Sequence, residues 1–458
     1  MDPLTGKSGD CGELLRSGIS DVVEVDGGLG NTSIFAGSEI GTEPVHARRS
    51  TWPQTSALIV ADVVGTGVLS LPGNFAKLGW AAGVTALVAC YPLNLFTGLL
   101  LNKLHLAFPK SVTYGDVGQE LLGKPGAIIG FGSLYVYLFL LLGNYMIVIR
   151  KTVQEIFVEA ELCAVPACLI GMAILIPSNQ LRTLYHLSGL SVLSFATILA
   201  VLLICIAFLL GGSPQCSATS LGKPDIWECF GGLSGFVFAF SGQKIFLEMQ
   251  AEMKEPKQFA LALNVGFPVL FSAFFAVAAV GFSECGDRTP GYILDVIPQG
   301  GWSRTASVLM LLHIIVSYTI TQQVLARALL LLGGFHCGFQ KSAKGRLVWF
   351  SLTTALMGCA FVMSESIPLF SDFVSLMGSL LSTQMSFTYP CALFLLYRRA
   401  VGIPLSPAWV DTGVVWASYL VVAIGVVFTV QGTICNVKTI VQHAQSGAGV
   451  PFGCDHHS

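Results

Sequence analysis

Beyond residue 54 the chain is a succession of apolar runs, each long enough to cross about 30 Å of hydrocarbon as a helix. They lie near 55–74, 79–101, 127–149, 162–178, 187–212, 230–248, 261–283, 305–334, 347–364, 367–397 and 411–435. Without water, a spanning segment must satisfy its own backbone N–H and C=O groups, so only helices and closed barrels qualify. These runs are too long for barrel strands and lack period-two alternation. The reading is an all-α polytopic membrane protein with about eleven transmembrane helices. The 162–178 run is short, whereas 305–334 and 367–397 have length to tilt or project.

Composition agrees. Charged residues make up 11% of the chain and apolar residues 53%, against about 25% charged in a soluble domain. Too few charges remain to cover a globule of this size, so most of the surface must face lipid. The net charge of -2 gives no basic face for nucleic acid. Residues 1–54 are rich in Gly, Ser and acidic residues and lack the basic start and apolar core of a signal peptide. They read as a disordered cytoplasmic N-terminal tail, ahead of a transmembrane transporter domain over 55–435 and a short C-terminal tail over 436–458.

Lys and Arg set the orientation. With the N-terminus cytosolic, that side carries Arg48, Arg49, Lys103, Lys110, Lys124, Arg182, Lys254, Lys257, Lys341, Lys344, Arg346, Arg398 and Arg399. The other side carries Lys77, Arg150, Lys151, Lys223, Arg288, Arg304 and Lys438. The sequon Asn31-Thr32-Ser33 then lies in the cytosol and stays unused. Loops 213–229 and 284–304 fall on the non-cytosolic side, where Cys285 is placed to pair with Cys216 or Cys229. Three unpaired thiols are the alternative. No CxxC pair or Cys/His cluster suggests a metal.

The most informative stretch runs from Ala57 to Trp80. Gly65-Thr66-Gly67 and then Pro72-Gly73 interrupt an apolar helix. Glycine permits dihedral angles that a continuous helix excludes, and proline cannot donate to the preceding turn. Unwound backbone at membrane depth persists only where it is buried in protein or lines a cavity. The half-helix that follows would present free N–H groups and a positive dipole end, suited to a carboxylate. Close packing of small residues is the competing account.

A second interruption, Ser241-Gly242, falls in the sixth span, five spans after the first. Two such breaks point to a 5+5 inverted repeat with the site between its halves. Carbonyls near Ser241 suit an ammonium group, so the two breaks match the charged ends of a zwitterion. Gly65, Thr66, Gly67 and Val68 at the first break, and Phe240, Ser241 and Gly242 at the second, are the expected substrate-binding residues.

These segments also resemble the amino acid/auxin permease family. The resemblance rests on Gly65-Thr66-Gly67-Val68-Leu69-Ser70-Leu71-Pro72 with Leu78-Gly79-Trp80, and on Thr113-Tyr114-Gly115-Asp116-Val117-Gly118 ahead of Leu122-Gly123-Lys124. It rests also on Ala239-Phe240-Ser241-Gly242 leading into Glu248-Met249-Gln250, Glu252-Met253-Lys254 and Pro256, with Tyr389-Pro390 a weaker match. It covers roughly 52–435 and implies an eleven-span LeuT-like fold and amino acid transport driven by H+ or Na+. Two positions depart from the pattern: Ala61 stands where many members carry a polar residue, and Gln243-Lys244 where histidine or another polar residue often follows Ser-Gly.

An intramembrane carboxylate is a functional candidate by default. Asp62, one turn before the first break, is the candidate for ion coupling; pairing with a buried base or capping of the broken helix is the structural alternative. Ser317 and Thr321, four apart on one face of the eighth span, join it as coupling candidates, since in the resembling family hydroxyls of this span help coordinate Na+. Interhelical hydrogen bonding is their ordinary alternative. Glu248 and Arg327 are gating candidates. Lys244, four residues before Glu248, has helical spacing to pair with it. Tyr135, Tyr137 and Asn144 of the third span are further pocket candidates, and His313 reads as a structural donor.

The function expected is secondary active amino acid symport with H+ or Na+, with no cofactor, in the plasma membrane or a vacuolar or other endomembrane. The partners expected are an amino acid and the lipid bilayer. A carrier of an auxin-like acid or an amine, or a non-transporting amino acid sensor, is the alternative. No P-loop, HExxH or GxSxG motif supports an enzyme.

Overall fold

The computed structural model describes residues 50–180, 188–211, 216, 226–335, 338, 342–367, 369–401, 408–446 and 452–453. Residues 1–49 of the expected N-terminal tail, its sequon included, with Arg182, Lys223 and Lys341, lie outside the described residues, whereas its last residues do not form a disordered tail: Ser50 bridges to Met253 and the first helix starts at Trp52.

Among the described residues the architecture is helical, with one isolated bridge between Ser50 and Met253 and no strand. The helices are α1 (Trp52–Val63), α2 (Leu71–Ala107), α3 (Tyr114–Leu122), α4 (Lys124–Ile156), α5 (Ala164–Asn179), α6 (Ser188–Leu210) and α7 (Ile226–Ala239). They continue with α8 (Phe246–Ala251), α9 (Phe259–Cys285), α10 (Gly301–Leu332), α11 (Ala343–Ser366), α12 (Phe370–Met377), α13 (Tyr389–Val401) and α14 (Ala408–Gln445).

Seven of the described helical stretches are long and apolar enough to cross a membrane unaided. The remaining apolar runs are short or divided. The first and sixth expected spans are cut by their breaks, α5 has 16 residues, and π-helical turns over Gly378–Ser382 and Gln384–Thr388 separate α12 from α13. Two boundaries differ from expectation. Helix α2 passes through the junction between the first two spans without a loop, bending at Gly79, whose φ of 72° is left-handed. Helix α14 runs to Gln445, beyond the expected end at 435. There Asn436 donates to Ser375 O and Ser379 Oγ, and His443 meets Asp372 at 2.6 Å.

The Thr113–Gly118 motif builds a joint between helices. Thr113 caps α3: its hydroxyl accepts from the Asp116 N–H at 3.2 Å, while the Asp116 carboxylate accepts from Thr113 N–H at 2.9 Å. Such reciprocal capping satisfies two donors that would otherwise be orphaned. Gly118 then packs on Gly126 and Gly115 on Gly130, so closely that a side chain at either position would collide. This seats α3 against α4, and Tyr114 Oη donates to Met385 O at 2.6 Å.

Helix α2 packs on α7 and α9, and α10 on α4 and α6. A parallel bridge joins the start of α1 to the end of α8: Ser50 N–H donates to Glu252 O, and Lys254 N–H to Ser50 O. On the opposite face Cys285 forms a disulfide with Cys216, while the Cys229 thiol donates to Lys77 O at 3.6 Å.

Candidate functional site

The chain unwinds where its glycines said it would. Helix α1 stops at Val63, Gly65 takes an extended conformation (φ -117°, ψ -145°), and a 3₁₀ turn over Thr66–Ser70 leads into α2. Helix α7 stops at Ala239, and a 3₁₀ turn over Gln243–Ile245 leads into α8. The two breaks lie against each other. A methyl group on Gly67 would stand 2.6 Å from Ala239 Cα, and one on Gly242 would stand 2.6 Å from Val63 Cγ2. Glycine at both positions is what lets the unwound segments cross in contact.

Unwinding leaves backbone groups without partners. Among the described residues, no backbone acceptor takes the Thr66 or Gly67 N–H, and no backbone N–H reaches the Ala239 carbonyl. The first pair lies at the positive end of the segment leading into α2, the second group at the negative end of α7. Asn144 of α4 donates to Thr66 Oγ1 at 2.8 Å, which leaves the threonine O–H free to donate.

A cavity of about 380 Å³ opens beside the breaks. Gly65, Thr66, Gly67, Ala239 and Ser241 form its polar floor, with Asp62, Lys244, Glu248, Glu252 and Thr321 on its walls. Its apolar side comes from Leu134, Tyr137, Leu138, Leu141 and Phe238. Of the expected substrate-binding residues, Gly65, Thr66, Gly67 and Ser241 reach the cavity. Val68 and Phe240 are fully buried elsewhere, Phe240 against the Phe274 ring at 4.9 Å, and Gly242 is taken up by its contact with Val63.

The ionisable residues fall differently from their sequence spacing. Lys244 does not pair with Glu248 on its own helix. Its Nζ donates to Asp62 Oδ2 at 3.0 Å and to Ser241 O at 3.0 Å. The reason is the break: the 3₁₀ turn at Gln243–Ile245 removes the helical register that the i, i+4 rule assumes. Glu248 lines the cavity, whereas Arg327 is off its wall, one turn beyond Val324.

A second cavity of about 210 Å³ adjoins the first. Asp62, Gly65 and Thr321 border both, and Ser194, His313 and Ser317 line the smaller one. The His313 ring and the Ser194 hydroxyl lie 2.9 Å apart, which fits a structural role in tying α6 to α10. Asn144 supports the break from behind, Tyr137 is on the wall, and Tyr135 stacks on Phe131 away from the cavity. Sequence reasoning missed Leu134, Leu138, Leu141 and Tyr145. Their spacing marks one helix face, the signal that could have found them.

Comparison with known proteins gives the family. The family model described as transmembrane amino acid transporter protein matches residues 48–434. Amino acid transporter AVT1B of Arabidopsis thaliana is 26% identical over 392 residues, covering 82% of this chain and 69% of the relative. Amino acid transporter AVT3C is 24% identical, covering 84% of this chain and 90% of the relative. Lysine histidine transporter-like 1, from the same plant, is 22% identical over 86% of this chain and 89% of its own length. The protein is a multi-pass membrane protein, and with the matched segment spanning nearly all its apolar helices, it belongs to the transmembrane amino acid transporter family.

Proposed function

We propose that the protein is a secondary active transporter that carries amino acids across a membrane by alternating access around the two helix breaks. One observation carries this reading: N–H groups of Thr66 and Gly67 and the Ala239 carbonyl, without backbone partners among the described residues, lie on one cavity, at helix ends of opposite polarity. A substrate carboxylate is held at the first and a substrate ammonium at the second. The side chain then lies along Leu134, Tyr137, Leu138, Leu141 and Phe238, a surface that suits an uncharged side chain.

The two breaks support a LeuT-like arrangement of about eleven spans, with α1 and its 3₁₀ turn as the first and α7 with α8 as the sixth. A cytosolic N-terminus, from the Lys and Arg distribution, puts Ser50 and Glu252 on the cytosolic side. Coupling is to H+ or Na+, with Asp62 at its centre. Ser317 and Thr321 share the adjoining cavity, and Glu248 lies on the path towards the Ser50 face.

The test is counterflow in proteoliposomes: the proteinogenic amino acids, each radiolabelled, are exchanged against the same unlabelled compound inside. The expected result is saturable uptake of one or a few amino acids. Protein-dependent flux of none of them would sink the reading.

A further inference from the structure

The site already contains an ammonium group. Lys244 Nζ sits between the Asp62 carboxylate and the Ser241 carbonyl, 3.0 Å from each, with its side chain 10% exposed. These acceptors lie at the same end of α7 as the Ala239 carbonyl and line the same cavity, so a substrate ammonium seated there meets the Lys244 ammonium.

Resting on the transporter reading, we propose that Lys244 is a tethered competitor for the substrate's amino group, and that its displacement makes transport an exchange of amino acid against a proton. Two ammonium groups facing one carboxylate repel, the more so because the Lys244 side chain is largely shielded from solvent. The charged and titratable groups around Lys244 are Asp62 of α1, Tyr137 and Tyr145 of α4, and Glu248 and Glu252 beyond the second break; the Thr321 hydroxyl of α10 completes the wall. The Tyr137 ring centroid lies 6.0 Å from Nζ. No second fixed cation lines this cavity among the described residues, so nothing but Lys244 need be discharged.

The step balances. As the substrate ammonium approaches Asp62 and Ser241 O, the Lys244 ammonium gives one proton to water entering the cavity. The N–H bond of Lys244 breaks, an O–H bond forms on that water as hydronium, and solvent on the Ser50 face carries the proton away. Lys244 is left as a neutral amine, able to accept a hydrogen bond from the substrate. A zwitterion adds no net charge, so the cavity keeps its charge until the proton leaves. The loaded carrier therefore crosses without the proton and the empty carrier returns with it, which is antiport.

The experiment uses the full chain in proteoliposomes with membrane potential clamped, and the radiolabelled amino acid that gives counterflow. An acid interior should concentrate the label inside, by about tenfold per pH unit for one proton exchanged per substrate; an acid exterior should not. K244R keeps a cation opposite Asp62, so the purified variant should unfold near the wild-type temperature, but a guanidinium does not release its proton and accumulation should vanish. K244M should lose the accumulation relative to its own counterflow rate, its substrate equilibrating without concentrating. Accumulation driven by an acid exterior, or wild-type accumulation by K244R or K244M, would overturn the proposal. Absent counterflow in the wild type would instead remove the transporter reading beneath it.

Discussion

Gly67 lies against Ala239, so that a methyl group on the glycine would stand 2.6 Å from the alanine Cα. That contact holds the two unwound segments side by side and sets the distance between the carboxylate end and the ammonium end of the cavity. Gly67→Ala must part them. Uptake should fall by about tenfold or more, as binding geometry shifts by a sizeable fraction of an ångström. Gly132→Ala, in open space on α4, is the control; it should leave uptake intact and cost nothing in helix propensity.

Asp62 and Lys244 should behave as one unit. Asp62→Asn leaves the lysine ammonium without its carboxylate, and uptake should drop and lose its dependence on pH. Combined with K244M, the loss should be smaller than the product of the single losses, giving a coupling of about 0.5–3 kcal/mol in a double-mutant cycle. Additive effects would show that the pair does not act together.

Asn144 holds Thr66 from behind through a 2.8 Å hydrogen bond. Asn144→Ala should weaken apparent substrate affinity by about two- to tenfold, the equivalent of one ordinary hydrogen bond. Concentration dependence of uptake separates this from a loss of maximal rate, which should change less.

Away from the site, Arg150 on α4 and Glu365 on α11 form a buried pair at 3.4 Å, with side chains 5% and 1% exposed. Arg150→Met alone should destabilise the protein by about 3–5 kcal/mol, because an unpaired carboxylate stays in the core. Adding Glu365→Leu should recover much of that loss. Thermal unfolding in detergent is the readout.

Peptide mapping without reducing agent should recover Cys216 linked to Cys285 across 69 residues of sequence. The linkage should persist in Cys229→Ser. Cys285→Ser should cost about 2–4 kcal/mol, through the loop entropy returned to the unfolded chain.

Sequence by itself determined the succession of apolar helices and the places where two of them break. Both follow from local rules: hydrocarbon thickness fixes run length, and glycine and proline fix where a helix cannot continue. The expected breaks at Gly65–Gly67 and Ser241–Gly242 are the ones observed. Tertiary structure alone decided what the breaks face. Helical spacing offers Glu248 to Lys244, yet its partner Asp62 lies 182 residues away in sequence. Val68 and Phe240 belong to the same motifs as Thr66 and Ser241 but turn into the packing. Backbone chemistry is written residue by residue, whereas a buried charge takes its partner from whichever helix the fold brings beside it. The tethered ammonium in the site is therefore a product of packing that no local pattern announces.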